Sequence, residues 1–167
     1  MWDPDRWHVD DLVKEFCTYY YQEYSDIAYK TIENMEKQIQ KLSTCSRNYS
    51  MCHSIANWEQ FFPLEVLKEN ENLVDQAIKD NEKNKEKSTY RTIKTRLQML
   101  KLGFMFNQAN EYDSYYPRST KAEKNRFYKE YFSLLEKTKW DDYVGKTEDF
   151  FIGYEKERLG FGQEKKI

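Results

Sequence analysis

The sequence predicts an all-α protein, a bundle of about five helices with an irregular C-terminal tail. Apolar residues recur at alternating three- and four-residue spacing through most of the chain. No run alternates with the period of two that a half-buried strand needs, and helix-start signals punctuate the pattern. One helical domain spanning 1–167 suits this length, at which roughly two thirds of the unfolded surface is buried.

From Asp10 to Tyr21, Leu12, Val13, Phe16, Cys17 and Tyr20 follow helical spacing, and Asp10 or Asp11 suits the positive end of the helix dipole. After a break near Gln22, the set Ala28, Ile32, Met35, Ile39 and Leu42 lays one seam along a longer second helix, where Glu33 and Lys37 form an exposed pair four apart. Residues Ser43 to Asn57 lack periodicity and are rich in Ser, Asn and Cys, which predicts an irregular connection. Pro63 ahead of Leu64 and Glu65 fits the first turn of a third helix, because proline loses no hydrogen bond there. That helix is expected to bury Val66 or Leu67, with Val74, Ala77 and Ile78.

The charged run Asp80 to Lys87 reads as a solvated helix end or a linking turn. Beyond it, Tyr90, Ile93, Leu97, Leu100 and Phe104, widened by Met99 and Phe106, predict a fourth helix, the most buried of the set. Gly103 within it would admit a close neighbouring helix, at about 1 kcal/mol of helix propensity relative to Ala. Tyr112 to Pro117 interrupts the pattern. Thr120 and Glu123 then form a capping box that opens a fifth helix, burying Phe127, Tyr131, Leu134 or Leu135, and Thr138. Gly145, Gly153, Gly160 and Gly162 punctuate the tail, and no repeat of fixed period suggests a solenoid.

Mean hydropathy is low, at −1.02. Yet 39% hydrophobic residues, 17% of the chain being aromatic, argue for a folded protein with a polar surface. The net charge of −2 supplies no long-range field for a nucleic-acid backbone or an anionic membrane, and neither partner is expected. The basic set Lys83, Lys85, Lys87, Arg91, Lys94, Arg96 and Lys101 is interrupted by Glu82 and Glu86 and reads as a solvated face. There is neither a secretion-signal pattern at the N-terminus nor a run of apolar residues long enough to span a bilayer; localisation stays open.

No catalytic, cofactor or metal residue is assigned, and no cofactor is expected. Asp141 with Asp142 and Glu148 with Asp149 are adjacent carboxylates, which point in different directions on a helix and read as solvated loop. Cys52 beside His53 lacks an orienting third group, and His8 and His53 lack ligand spacing. Cys17, Cys45 and Cys52 form no paired framework, although a local Cys45–Cys52 disulfide is allowed. The candidate contacts are aromatic. Tyr112, Tyr115 and Tyr116, beside Asn110, Asp113 and Arg118, could stack on a sugar ring or pack on their own helices. Trp58, Phe61 and Phe62 pose the same choice.

The opening WDPDRWHVDDLVKEFCTYYYQEYS, through Trp2, Asp10, Leu12, Phe16, Tyr20 and Tyr21, resembles the junction after the catalytic barrel in a family of uncharacterised bacterial proteins related to α-glucuronidases. Gln22 stands where that family has Gly after Tyr-Tyr. Trp58, Pro63, Leu67 and Ala77 in NWEQFFPLEVLKENENLVDQAIKD are similar to its aromatic-Pro helix entry, and Arg91 and Arg96 to its following Arg-containing helix. The resemblance covers most of the chain. It implies a C-terminal helical domain without catalysis of its own, packing on an upstream barrel absent from these residues or on another protein partner. An independent helical protein that binds protein or carbohydrate is the other expectation.

Overall fold

The computed structural model describes residues 8–43, 62–139, 156, 157 and 159, excepting the side chains of Leu42 and Ser43. The described residues are helical and contain no strand. In chain order they form α1 (Val9–Tyr21), α2 (Ser25–Ser43), α3 (Leu64–Asn81), α4 (Tyr90–Asn110), the single turn α5 (Tyr112–Tyr115) and α6 (Lys121–Thr138). Short 3-10 turns at Gln22–Tyr24 and Glu82–Asn84 follow α1 and α3. The chain gathers into two compact units, Met1–Lys101 and Leu102–Ile167.

In the first unit α1 packs on α2, and α2 on α3. Among the described residues, Cys17, Tyr21, Tyr24, Ala28, Leu67, Val74, Ala77, Ile93 and Leu97 are its buried apolar residues. Of the two expected for α3's first contact, Leu67 is buried and Val66 half-buried. Pro63 is the N-cap of α3, one residue before the first turn, and its carbonyl accepts from the amides of Val66 and Leu67 at 3.0 and 3.1 Å. Lys37 pairs with Glu33 at 2.9 Å, as the four-residue spacing predicts.

A polar seam crosses this core. Asn70, fully buried on α3, donates to the Thr31 carbonyl at 3.3 Å and accepts from Asn34 Nδ2 at 2.8 Å. Its amide therefore joins α2 to α3 with both polar ends used, which is the condition for burying such a group without penalty. Lys101, only 7% exposed, places Nζ 2.9 Å from Asp75 and 3.5 Å from Glu71, tying α4 to α3.

The second unit is an aromatic core. From α6, Tyr128, Tyr131, Phe132, Leu134 and Leu135 bury against Leu102, Met105, Ala109 and Tyr112, with Tyr116, Phe127 and Leu159 packed at the edge. Both leucines of the predicted alternative are inside. Phe127 is half-buried and its neighbour Tyr128 takes the buried place expected for it. Helix α6 opens with the predicted box: Glu123 N donates to Thr120 Oγ1 at 3.2 Å, and Thr120 N donates back to Glu123 Oε2 at 2.8 Å.

The structure changes further expectations: Ile39 of the second-helix seam and Phe106 of the fourth helix are 46% and 37% exposed. Gly103 is exposed, and a Cβ built there meets nothing within 4 Å, so no neighbouring helix approaches it among the described residues. Leu12 and Phe16, which share the helical spacing of the first helix's apolar set, are 41% and 52% exposed. The apolar arc of α1 is wider than the surface that α2 covers.

Candidate functional site

Of the residues singled out in the sequence as ligand or interface contacts, Trp58 and Phe61 lie outside the described residues. So do Cys45, Cys52, His53 and the acidic pairs at 141–142 and 148–149. The four others sit in the second unit with unequal access. Tyr112 is buried, Tyr115 and Tyr116 are half-buried and Arg118 is exposed.

The Tyr112 ring is sealed among Tyr116, Phe127 and Tyr128, with centroids 4.7, 5.1 and 5.6 Å away, so it offers no free face on which a sugar could stack. Tyr116 donates from its hydroxyl to Gln108 Oε1 at 2.6 Å, and Tyr128 to the Ala109 carbonyl at 3.2 Å. Lys124 holds Asp113 at 2.6 Å and lies 5.6 Å over the Tyr112 ring. A cleft of about 250 Å³ opens beside this lysine, lined by Asn110, Glu111, Asp113 and Ser114 among others. That is below the roughly 300 Å³ at which small-molecule pockets begin. A wider groove of about 480 Å³, with Asn34, Lys37, Lys41 and Val66 along it, runs beside α2 and α3.

Four of the exposed large apolar side chains among the described residues belong to α1, beside Ile39 of α2 at 46% and Phe106 of α4 at 37%. Val9 is 71% exposed, Leu12 41%, Phe16 52% and Tyr19 74%. Steps of three, four and three residues place all four within about 80° of the helix circumference. Cys17 and Tyr21, on the other side of the helix, are buried. One short helix thus carries two apolar faces, and only one of them is covered within the described residues.

Several contacts fix this helix. Arg96 donates to the Tyr20 carbonyl at 2.7 Å and lays its guanidinium 4.1 Å over the Tyr20 ring. Tyr20 in turn stacks on Phe16 at 5.1 Å. At Gln22 the chain turns with φ at 51°, a conformation that favours glycine. The charged run after α3 fastens the same corner: Lys87 reaches Glu23 at 2.9 Å, and Asn84 donates to Glu23 and to the Tyr24 hydroxyl, each at 3.1 Å. The Lys87 bond holds the Glu23 carboxyl below its ordinary value, against a smaller opposing effect of burial.

No family model, curated protein or solved structure matches this chain. The site is therefore read from its own geometry. The predicted basic run is balanced by carboxylates: Lys83 pairs with Asp80, Lys85 and Lys94 with Glu82, Lys87 with Glu23 and Lys101 with Asp75. Glu82 also accepts from the Tyr90 hydroxyl at 2.9 Å, and these donors, Lys94 foremost, pull its carboxyl down to about 2. Burial pushes the Cys17 thiol up, away from the reactive thiolate. No described helix is long and apolar enough to cross a membrane, and no three His, Cys, Asp or Glu side chains gather for a metal among the described residues.

The sequence spacing grouped Leu12 and Phe16 with the buried Cys17 in one apolar set and did not single out Val9 or Tyr19. A signal was available. Between Val9 and Tyr21, the apolar residues span more of the circumference than one neighbouring helix covers.

Proposed function

We propose that this chain is a non-catalytic interaction module whose docking surface is the Val9, Leu12, Phe16 and Tyr19 face of α1. The observation that carries the reading is that face itself: large apolar side chains in register on a rigid helix, exposed while the opposite side is packed. Single exposed apolar residues are ordinary, whereas a contiguous row of them marks a surface that another molecule covers. Aromatic side chains are enriched at such contacts, because they bring large area with few rotatable bonds.

Under the resemblance at the N-terminal segment, the parent would be a glycoside-hydrolase-like protein and this chain its C-terminal helical domain. Gln22 supports that reading in one respect. The family's Gly follows Tyr-Tyr, and in this chain the corresponding residue has the positive φ that a glycine would adopt most easily.

Two measurements test the function. Glycan hydrolysis is compared between this chain and any longer native reading frame that encodes it, with activity confined to the longer protein expected; a gene that encodes no upstream barrel would remove the accessory-domain reading. Turnover by the 167-residue chain alone would remove the non-catalytic reading. Carbene labelling of Phe16 and Tyr19 is then expected to be strong in the dilute chain and suppressed in the assembled longer protein. Equal labelling in both would remove α1 as the docking surface.

A further inference from the structure

We infer that the occupant of the α1 face is a second copy of this chain, with the two α1 helices running antiparallel about a two-fold axis. The inference rests on the reading of that face as a docking surface and adds the identity of the partner. Val9, Leu12, Phe16 and Tyr19 occupy successive a, d, a and d places of a heptad pattern, which is the seam two helices share in knobs-into-holes packing. The steps of three, four and three read the same in both directions. An antiparallel partner therefore meets the seam in register, placing Val9 opposite Tyr19 of the other copy and Leu12 opposite Phe16.

Size decides the direction. The antiparallel arrangement sets a small side chain against a large one in every layer, which fills the seam evenly. A parallel pair would set Phe16 on Phe16, Tyr19 on Tyr19, and Val9 on Val9, crowding one end and leaving the other slack. Charge favours the same choice: Asp10 and Asp11, in the first turn of α1, would lie side by side in a parallel pair and lie at opposite ends in an antiparallel one.

Glu15 flanks the seam near its centre and would face its own copy across the axis. This like-charge contact weakens the antiparallel pair and has no counterpart in a parallel one. The exposed part of the four residues amounts to roughly 400–500 Å² per copy, which even fully covered falls short of the roughly 1,200 Å² total of a stable specific interface, so the dimer is weak and reversible.

Sedimentation velocity on the 167-residue chain over a wide concentration range tests this. A monomer–dimer equilibrium is expected. Phe16→Glu should raise its dissociation constant by about tenfold or more, since a charge would enter an apolar seam, and Glu15→Gln should lower it. Both sites are exposed, so unchanged helical circular dichroism is expected to accompany each shift. Direction is read by oxidation in a Cys45→Ser, Cys52→Ser background: chains carrying Val9→Cys should cross-link with chains carrying Tyr19→Cys, and neither with itself.

A chain monomeric at every concentration, a dimer indifferent to Phe16→Glu, or cross-linking of the Val9→Cys chain with itself overturns the inference. The failures are separable. A monomer whose Phe16 and Tyr19 label freely, but are protected in the longer protein, removes the second copy and leaves the docking reading standing. A monomer that already protects them has covered the face from within its own chain, and both readings fall.

Discussion

Asn70 shows how a single side chain can dictate which helices meet. Its amide is fully buried and bonded at both ends, to Thr31 and to Asn34, so a helix pair with any other register would strand it. Asn70→Ala leaves Asn34 and the Thr31 carbonyl without this partner and should cost about 1–3 kcal/mol in denaturant unfolding. Gln22 is the opposite case, a residue at odds with its backbone. Gln22→Gly relieves the positive φ, with an expected gain of about 1 kcal/mol by the same measurement. Glu82 gives a pH signature. Its folded carboxyl lies at about 2, below the ordinary 4.5, so its contribution is present above about 4.5 and is lost as pH falls toward about 2. The difference in melting temperature between the parent and Glu82→Gln should therefore shrink over that interval. Such partnerships are invisible in the sequence, because Asn70, Glu82 and Gln22 are ordinary polar residues until the fold brings their neighbours.

At the scale of elements, periodicity and local chemistry go far. The capping box of α6 was legible because its two partners are three residues apart and need no tertiary information. Thr120→Ala should cost about 1 kcal/mol of stability, read by thermal unfolding. Gly103 illustrates the limit of such reasoning. A glycine inside a helix has two readings, a close approach or a tolerated weakness, and only the open space around its Cα separates them. Gly103→Ala is expected to stabilise the chain by about 1 kcal/mol; a loss of stability would mean that something does approach. For α1 the spacing of apolar residues identified the helix but not which of its two apolar faces was taken. Burial depends on what lies opposite, and that is settled by α2 and not by α1 itself.

For the molecule as a whole, the all-helical class could be read directly, since it needs only the absence of a two-residue period and the presence of seams at helical spacing. The aromatic content was legible as a quantity but not as a distribution. Tyr112, Tyr115 and Tyr116 could serve a ligand or their own helices, and the fold turns Tyr112 inward beneath Phe127 and Tyr128. Charge followed a similar course. A locally dense basic run became a set of ion pairs reaching to Asp75, Asp80, Glu82 and Glu23, so the chain is expected to pass through a heparin column without retention at physiological salt.

The stacking of Arg96 on Tyr20 carries a genetic consequence. Tyr20 is neighbour to both Tyr19 and Phe16, so the guanidinium steadies the exposed row from a point 76 positions further along the chain. Lysine could donate to the carbonyl but has no planar group to stack on the ring at the same time. If α1 docks as proposed, a change at Arg96 would behave in a screen like a lesion in α1 itself, and suppressors of it should map to α1, although the two lie far apart in the reading frame.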